Sequence, residues 1–439
     1  MTDQEIISTM REAYIYAIPL IMMDLTFQNS TNVTEGTGAP LNQFYHVKAF
    51  PTHEDKLVVR LNVDTLYSIA CMDLSAEPLV FQKPRTDRYC SIAVYDAYTN
   101  CQAILGTGGM DDGEAAEYLL CGPSYTGDIP EGIEQIALPT DMAWMIVRTE
   151  CANHDDLAAV SDIQEQFALM PLSEIDNPDY VFPQGSYAAE NDFVPFEKIQ
   201  EMSVETFFNR FNELAAANPG TDEDIPALER FAKIGVGPSL TFLADQFSPV
   251  IQKALVLFPK MVMGELLRSS RDGDKGYFHL VNGWLYMADN IARFGTDYEF
   301  RAIIALMGFG ANPVEMAIYP STQTDSNGKP LDGSNEYVFH FEPNSFPPNN
   351  GFWSLTAYDI DGFLIENPLG KYAIRDKNGL VTNEDGSIDV YLQAESPGKT
   401  LEANWLPIVS EPFQLTLRIY LPKESVFDLE WKPPFVTKV

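Results

Sequence analysis

The sequence predicts a multidomain α+β protein, with an N-terminal β-sandwich, a central helical domain and a C-terminal, jelly-roll-like β-sandwich. Its 439 residues are too many for one simple core. Short β-rich runs separated by turn residues occupy 57–150 and return after residue 321, whereas helical periodicity occupies 196–310. We therefore divide the chain into domains at 1–175, 176–325 and 326–439.

The chain begins with a predicted helix at residues 4–26, capped by Thr2 or Asp3. The apolar run 14–25 inside it is too short to span a bilayer and is typical of a core helix. The first residues lack the positive charge of a secretory signal. Five cysteines, without a CxxC spacing, indicate reduced and buried thiols. These features predict a cytoplasmic protein.

The first β region contains six predicted strand runs, at 57–74, 79–84, 89–105, 117–122, 133–138 and 142–150. The turn signals between them favour an antiparallel sandwich. Because strand side chains alternate between two faces, Leu57, Val59, Leu61 and Val63 would share an apolar face. The opposite face would carry a polar row, spaced about 7 Å apart, made of Arg60, Asn62 and Asp64.

The strand run 89–105 changes character along its length. One face starts with apolar side chains and continues with polar ones, in the order Cys90, Ile92, Val94, Asp96, Tyr98 and Asn100. Such a change is expected where a sandwich ends and a cleft opens.

The helical domain is predicted from apolar spacing at Phe207, Phe208, Phe211 and Leu214, after a shorter helix at 155–168. Further helices are expected at 249–267, divided or kinked at Pro259, and at 298–306. In the C-terminal domain, residues 351–359 and 413–421 alternate as strands. The second of these would point Phe413, Leu415 and Leu417 inward and Gln414, Thr416 and Arg418 outward.

The charge of the chain limits its partners. Sixty-three acidic against 28 basic residues give a net charge of −35 and a pI near 4.3. Nucleic acid and anionic membranes are poor partners for such a protein, because binding them depends on Lys and Arg. A cation or a neutral polar molecule fits this field better than a polyanion.

Two groups of motifs resemble a known pair of bacterial domains. The first group comprises Asn42-Gln-Phe-Tyr-His46, Phe50-Pro51 and Val58-Val-Arg-Leu-Asn-Val-Asp-Thr-Leu-Tyr-Ser68. The second comprises Gly351-Phe-Trp-Ser-Leu-Thr-Ala-Tyr-Asp359, Glu366-Asn-Pro368, Tyr372-Ala-Ile374, Asn404-Trp-Leu-Pro407 and Leu417-Arg-Ile-Tyr420. These are similar to domain of unknown function 1254 and its usual partner, domain of unknown function 1214. The chain departs from the usual pattern at Leu61 and Lys48, where proline and arginine are common. The resemblance implies an immunoglobulin-like N-terminal sandwich, a helical insert and a C-terminal jelly roll, and it implies no chemistry.

Standard catalytic motifs are missing from the sequence, including the P-loop, the dinucleotide fingerprint, the GxSxG elbow and HExxH. The remaining candidates are polar residues expected near strand ends. As an acid/base group we predict Asp64, Asp96 and His46. As substrate-binding groups we predict Arg60, Asn62, Thr65, Tyr67, Asn100 and Trp144. Structural interpretations are also open: Asp64 as a turn or cap residue, His46 as a hydrogen-bonded structural residue, and Tyr67 and Trp144 as core aromatics.

No metal site and no cofactor are predicted, since the Asp- and Asn-rich loops lack the spacing of calcium loops. A second ligand face is conceivable in the C-terminal domain, on Ser354, Thr356, Tyr358, Asn404 and Trp405. The favoured hypothesis is a soluble enzyme, a hydrolase or lyase, acting on a small polar or carbohydrate-like molecule in a cleft of the N-terminal sandwich. The alternatives are a non-catalytic carbohydrate- or small-molecule-binding protein and a structural protein. A homo-oligomer is compatible with either.

Overall fold

The structure is a computed structural model that describes residues 1–34, 37–56, 58–270 and 275–439. It is a mixed α+β fold built from open, mostly antiparallel sheets and a set of helices. The predicted α+β class is therefore confirmed.

The first helix, α1, spans Asp3–Ser30. It begins with a capping box, in which Thr2 accepts a hydrogen bond from the Glu5 amide and Glu5 accepts one from the Thr2 amide. Its middle and last turns are buried, and the predicted helix at 4–26 is confirmed. By length and hydropathy alone, α1 is able to cross a membrane, but most of its apolar stretch is buried inside the protein.

Two sheets face each other in the N-terminal region. The first has the strand order β1-β2-β8-β4-β5, with β1 Phe44–His46, β2 Thr65–Asp73, β4 Cys90–Asp96, β5 Cys101–Gly106 and β8 Met142–Glu150. The second has the order β7-β6-β3-β9, with β3 Leu79–Lys83, β6 Ala116–Cys121, β7 Glu134–Ala137 and β9 Ala168–Pro171. Buried side chains from both sheets, such as Ile92 and Phe81, form one core between them. The predicted antiparallel pairing is confirmed except that β6 and β7 run parallel.

The helices after the sandwich are α2 Leu157–Gln164, α3 Pro195–Glu201, α4 Val204–Ala217, α5 Ile225–Ala232, α6 Pro249–Leu255, α7 Phe258–Ser269 and α8 Tyr298–Met307. Several of them pack around α1, where Tyr14 stacks on Phe207 with 4.0 Å between ring centroids. Phe207, Phe208 and Phe211 are fully buried, as their spacing predicts. The predicted division near Pro259 is confirmed, because one helix ends at Leu255 and the next begins at Phe258.

The C-terminal region also contains two facing sheets. One has the order β10-β11-β13-β19-β15-β16 with β12 beside β19; its strands are β10 Phe278–Val281, β11 Trp284–Met287, β12 Ala317–Ile318, β13 Ser321–Thr322, β15 Asn349–Asp359, β16 Ala373–Arg375 and β19 Phe413–Pro422. The other has the order β18-β17-β14-β20, with β14 Tyr337–Phe341, β17 Ile388–Gln393, β18 Trp405–Pro407 and β20 Val436–Lys438. A short helix, α9 Glu424–Phe427, follows β19. Apolar residues such as Leu417 and Phe339 fill the space between the sheets.

The division into domains at residues 175 and 325 stays a prediction. Two segments pack across those boundaries. Helix α1 lies in the first predicted domain but packs into the helical core, and β10 to β13 lie in the second but pair within the C-terminal sheet.

The run from residue 58 to 64 is not part of a strand, which corrects the prediction for 57–74. Strand β2 begins at Thr65. The Asn62 side chain accepts hydrogen bonds from the amides of Asp64 and Thr65, which closes a turn, and Arg60 has a left-handed backbone with φ of 55°. The polar row predicted for Arg60, Asn62 and Asp64 therefore does not exist as one strand face. Leu57, which was predicted to open this strand, lies outside the described residues.

The outer face of the C-terminal sheet is covered by this N-terminal turn. Gln414, Thr416 and Arg418 alternate with the apolar residues of β19 as predicted, but all three are buried rather than exposed to solvent. Gln414 accepts a hydrogen bond from Arg60, and Arg418 donates one to the carbonyl of Arg60. The surface between the two β regions, which we call the junction, is thus polar and buried.

Candidate functional site

Asp64 is the residue through which the N-terminal turn holds the C-terminal sheet. Its carboxylate is fully buried. Oδ1 accepts a hydrogen bond from Arg375 Nε at 2.8 Å, and Oδ2 accepts from the hydroxyls of Ser354 and Tyr420. Arg375 also donates to the carbonyls of Val63 and Cys151. Asp64 therefore links three strands of the C-terminal sheet, β15, β16 and β19, to the segment before β2.

Arg418 forms a second cross-link in the junction. Its guanidinium donates to Thr356 Oγ1 at 2.9 Å and to the Tyr358 hydroxyl at 2.6 Å, and Tyr358 in turn donates to the carbonyl of Leu61. Arg418 is buried, and although burial works against its charge, Tyr358 and Tyr420 raise its pKa above the ordinary arginine value. The guanidinium therefore stays charged.

Asn62 and Tyr67 bring the junction to a surface that solvent reaches in part. Asn62 Nδ2 donates to Thr65 Oγ1 at 3.1 Å, to the Tyr67 hydroxyl at 3.3 Å and to the Tyr420 hydroxyl at 3.1 Å. Asn62, Tyr67 and Tyr319 are half-buried. These three side chains, together with the exposed Arg60, are thus the accessible part of the junction, in front of the buried Arg148, Arg375 and Arg418.

Arg148 lies beside Tyr67 on the outer face of the first sheet. Strand register pairs the two residues, and the guanidinium lies 5.2 Å from the centre of the Tyr67 ring. Arg148 donates to Asn312 Oδ1 at 2.8 Å and to the Gly310 carbonyl at 2.7 Å. Asn312 donates in turn to the Tyr319 hydroxyl at 2.9 Å. The segment after α8 therefore supplies the partners of Arg148.

Gly310 is required for this contact. Its backbone is left-handed, with φ of 76°, and a Cβ there would lie 2.6 Å from Ile146 and 2.8 Å from Trp144. Only glycine lets the chain approach the sheet closely enough for its carbonyl to accept from Arg148.

The two arginines change the acidity of Tyr67. Burial alone would raise the pKa of the Tyr67 phenol, but Arg148, the hydrogen bond from Asn62 and the charge of Arg418 together bring the pKa below its ordinary value of 10.0. Tyr319, in the same junction, has its pKa raised, chiefly by burial. Tyr67 is therefore the phenol of the junction that gives up its proton more easily.

Asp96 is remote from Asp64, so these two carboxylates do not form the predicted acid/base pair. Asp64 precedes the β2 residue that pairs with Glu150, and Asp96 pairs with Ala143 on the same strand, β8. At 3.3 Å per residue the two positions lie about 23 Å apart along that strand. Asp96 accepts from the backbone amides of Tyr98 and Asn100 and from the side chains of Asn100 and Gln102. Both Asp96 and Asn100 thus organise the turn between β4 and β5.

His46 faces away from Tyr67, whereas Trp144 lies farther along the same face of the first sheet, in a cluster against which Tyr67 packs. His46 Nδ1 is 2.8 Å from Ser68 Oγ, and Ser68 points to the opposite face of β2 from Tyr67 because the two residues are adjacent in the strand. Burial lowers the pKa of His46 to about 4, with Lys48 adding to the effect. Trp144 stacks on Phe309 with 4.9 Å between centroids. Of the predicted site residues, the structure brings together Arg60, Asn62, Asp64, Thr65 and Tyr67. It separates Asp96, His46 and Asn100 from them, and it places Trp144 in the apolar cluster against which Tyr67 packs.

Sequence reasoning missed five residues of the junction. These are Arg148, Tyr319, Arg375, Arg418 and Tyr420. A signal existed for Arg148, which interrupts the apolar run of β8, and for Arg418, which lies in a strand of ten buried residues. An arginine in a strand that is apolar on both sides needs a polar partner from elsewhere.

The predicted second ligand face is divided by the fold. Ser354, Thr356 and Tyr358 lie in the junction and bind Asp64, Arg418 and Leu61. Asn404 and Trp405 lie apart from them and bind backbone carbonyls at the other sheet of the C-terminal region. These five residues therefore do not share a surface.

The fold and the junction define a class of protein in which two β regions, connected through a helical region, share one buried polar interface. Comparison with protein families shows which family models match this chain. Residues 41–171 match the family model described as "Protein of unknown function (DUF1254)", and residues 316–424 match "Protein of unknown function (DUF1214)". The chain belongs to the proteins that carry these two regions in this order, as its motifs predict.

Two solved structures are similar to this chain, and the first of them shares its fold. The crystal structure of the VPA0106 protein from Vibrio parahaemolyticus is 21% identical, with a TM-score of 0.74 over 100% of both chains. An uncharacterised protein from Burkholderia cenocepacia is 15% identical, with a TM-score of 0.46 over 97% of this chain and 87% of the other. No curated protein matches the chain. At 21% identity, the first comparison supports the fold alone.

Replacing Asp64 by Asn should destabilise the protein. The substitution leaves Arg375 buried without its counterion, which typically costs about 3–5 kcal/mol. Urea unfolding of wild type and Asp64→Asn measures the loss, and the exposed Asp361→Asn is the control that should unfold as wild type does. Unchanged stability of Asp64→Asn would contradict a structural role for this carboxylate.

His46 should make stability depend on pH between about 6.5 and 4. Its folded pKa is depressed from 6.5 to about 4, so the unfolded chain takes up a proton that folded His46 refuses. As pH falls through this window, wild type should lose stability relative to His46→Gln. Unfolding free energies of both proteins across the window measure the effect. The exposed His279→Gln should run parallel to wild type.

Proposed function

We propose that the protein is an enzyme acting on a small polar molecule by proton transfer, with Tyr67 at the junction as the group that exchanges the proton. The single observation that carries this proposal is the position of Tyr67, whose ring lies 5.2 Å from the buried Arg148 guanidinium and whose hydroxyl accepts a hydrogen bond from Asn62; the lowered pKa of Tyr67 agrees with it. Perturbed acidity in a partly accessible, polar, mostly buried place is typical of catalytic acids and bases.

The surroundings of Tyr67 support this role. A guanidinium 5.2 Å from the ring favours the phenolate, and the Asn62 amide donates to the phenol oxygen. Tyr319 offers its hydroxyl to a substrate at the accessible edge. Asn62 fixes this edge through its hydrogen bonds to Thr65 and Tyr67, and the exposed Arg60, whose guanidinium donates to Gln414 at 2.9 Å, lies in the same junction. A hydrolase or a lyase would use such a base to activate water or to remove a proton from carbon.

The proposed proton transfer uses fewer residues than the catalytic set predicted from the sequence. Asp64, Asp96 and His46 stay predictions as catalytic residues, but each is occupied in a separate hydrogen-bond arrangement. Within the predicted set, the proposal therefore rests on Tyr67 and Asn62. A non-catalytic binding protein for small polar or carbohydrate-like molecules is the alternative, and it would bind at the same edge without forming product.

Some properties of the protein as a whole stay proposals. The five cysteines are buried and free, which supports a reducing, cytoplasmic environment, and the net charge of −35 supports a protein that binds neither nucleic acid nor membranes. The pairs of facing sheets are compatible with immunoglobulin-like and jelly-roll types, which we propose as the finer descriptions of the two β regions.

Self-association is a second candidate role, which an exposed apolar surface on the helical region favours. Val250, Val256, Leu257 and Met261 are 56–78% exposed on and between α6 and α7. Apolar side chains grouped in this way are typical of interaction surfaces. We propose that this surface pairs two copies of the chain.

Sedimentation velocity tests the pairing. We expect a species heavier than the 49.1 kDa chain, and the substitution Val256→Glu should return it to the monomer, because a buried charge without a partner opposes association. Ile129→Glu, at an apolar residue exposed on the N-terminal sandwich, should leave the mass unchanged. A wild-type monomer would overturn the pairing.

Tyr67→Phe tests the proposed proton transfer. In an ultraviolet titration, wild type should show tyrosinate absorbance below pH 10 that the variant lacks, because the phenol of Tyr67 titrates below its ordinary value. A panel of sugars, hydroxy acids and amides, followed by NMR for product, supplies the activity measurement. Turnover should fall by about 10²–10⁴-fold in the variant, the usual contribution of a general acid or base.

The matched control is Tyr187→Phe, which removes an exposed phenol bonded to Asp192. It should keep both turnover and the low-pH absorbance. Identical titration curves for wild type and Tyr67→Phe would remove the basis of the proposal. Saturable binding of a panel member without product would assign the protein to the binding alternative.

A further inference from the structure

We propose that the junction receives a small molecule carrying one carboxylate, and that Arg148, Ser91 and Tyr89 bind this carboxylate. A carboxylate would be the substrate class of the site described above. Its binding does not depend on the proposed function, whereas its reaction after binding does. Neither Arg148 nor Ser91 nor Tyr89 was singled out by the sequence.

The three residues lie next to one another on one face of the first sheet. Strand register places Arg148 of β8 between Tyr67 of β2 and Ser91 of β4. Tyr89 comes two residues before Ser91, so it lies on the same side of the sheet. Burial raises the pKa of Tyr89, as does Tyr319, while Ser91 and Arg148 lower it, which indicates that these groups lie close together. This face of the sheet is turned toward Tyr420 of the C-terminal sheet, whose ring centre lies 5.2 Å from that of Tyr89.

Each of the three residues has a buried polar atom without a well-aligned hydrogen bond, although Ser91 still acts on Tyr89, and Tyr67 on Arg148, through weaker hydrogen bonds. Arg148 Nε, Ser91 Oγ and Tyr89 Oη are buried and make no hydrogen bond of acceptable geometry within the described chain. The residues themselves are 5%, 2% and 4% exposed. A buried polar group without a partner typically costs about 1–3 kcal/mol, and proteins seldom keep several together without a use for them.

The charge of the junction favours an anion. Arg148, Arg375 and Arg418 are all buried, whereas the carboxylate that reaches them is that of Asp64, which Arg375 binds. Among the residues that the structure describes, no carboxylate lies within 4.0 Å of Arg148 or Arg418. An excess of buried positive charge is costly, and a single negative charge brought between these groups would relieve it.

The free donors fit a carboxylate better than a larger anion. Two guanidinium nitrogens of Arg148 are occupied by Asn312 and Gly310, which leaves Nε as one directed N–H. With the two hydroxyls of Ser91 and Tyr89, this makes three donors, which suits the two oxygens of a carboxylate. A doubly charged phosphate would need more donors and would also enter against a net protein charge of −35. The net charge of the chain predicts a neutral or cationic ligand, whereas the buried arginines of the junction favour an anion.

Tyr67 provides an internal check, because its ring lies 5.2 Å from the guanidinium of Arg148. An anion bound at Arg148 would compete with the Tyr67 phenolate for the same positive charge. By linkage, carboxylate binding should therefore move the titration of Tyr67 to higher pH, and binding should weaken as pH rises through that titration. A neutral ligand would do neither.

Binding of acetate, glycolate and the neutral analogue acetamide to the full-length protein, measured by NMR titration at constant ionic strength, tests the proposal. We expect both carboxylates to bind and acetamide to bind at least tenfold more weakly. Ser91→Ala and Tyr89→Phe should each weaken acetate binding about tenfold. Because each substitution removes only a hydroxyl that makes no well-aligned hydrogen bond in the described chain, both variants should fold as wild type does.

Tyr286→Phe is the matched control, since it also removes a buried hydroxyl without a partner, in β11 of the C-terminal sheet. It should bind acetate as wild type does. Equal binding of acetate and acetamide, or unchanged acetate binding in both Ser91→Ala and Tyr89→Phe, would overturn the carboxylate site. If acetate binds as expected but Tyr67→Phe retains full turnover, the carboxylate site stands and the proposed role of Tyr67 fails.

Discussion

The buried ion pair between Asp64 and Arg375 is the interaction on which the rest of the junction depends. It joins residues 311 positions apart in the chain and lies between two separate β regions. Two buried charges lose much hydration, so such a pair persists only where further hydrogen bonds satisfy both partners. Here Ser354 and Tyr420 complete Asp64, and carbonyls including that of Cys151 complete Arg375. The N-terminal turn is thereby held against the C-terminal sheet, and the faces behind it are closed to bulk water.

Closing those faces determines the chemistry that Tyr67 can perform. In a medium of low polarity the charges of Arg148 and Arg418 act on the phenol over longer distances than they would in water. On an exposed strand, Tyr67 would be an ordinary tyrosine. The depressed pKa therefore belongs to the assembled junction and not to β2 itself, although β2 carries the residue.

Sequence patterns predicted what is local and failed where the outcome depended on a distant segment. The alternation of β19 was readable, and so was its apolar side, but its polar side was expected in water. That expectation follows from the usual behaviour of one-sided antiparallel sheets, and it fails because the turn around Asn62 covers Arg418. The prediction of a strand from 57 to 64 failed for a local reason: Asn62 bonds two following amides and Arg60 is left-handed. Tyr67 and Asn62 were found as polar residues of a motif, whereas Arg148, which follows the apolar part of β8, was not singled out.

The position of Arg148 explains why no single region of the sequence could reveal the site. Arg148 itself comes from the N-terminal sheet, and its hydrogen-bond acceptors Gly310 and Asn312 come from the segment after α8. Asn312 then passes the contact to Tyr319, which lies just before β13 of the C-terminal sheet. The hydrogen-bond network around one guanidinium therefore combines residues from separate parts of the chain. In the sequence of each part, the polar residues could be explained by a structural role alone. The helical region is thus not a spacer between two independent β units, because its exit segment orients the arginine that gives the junction its charge.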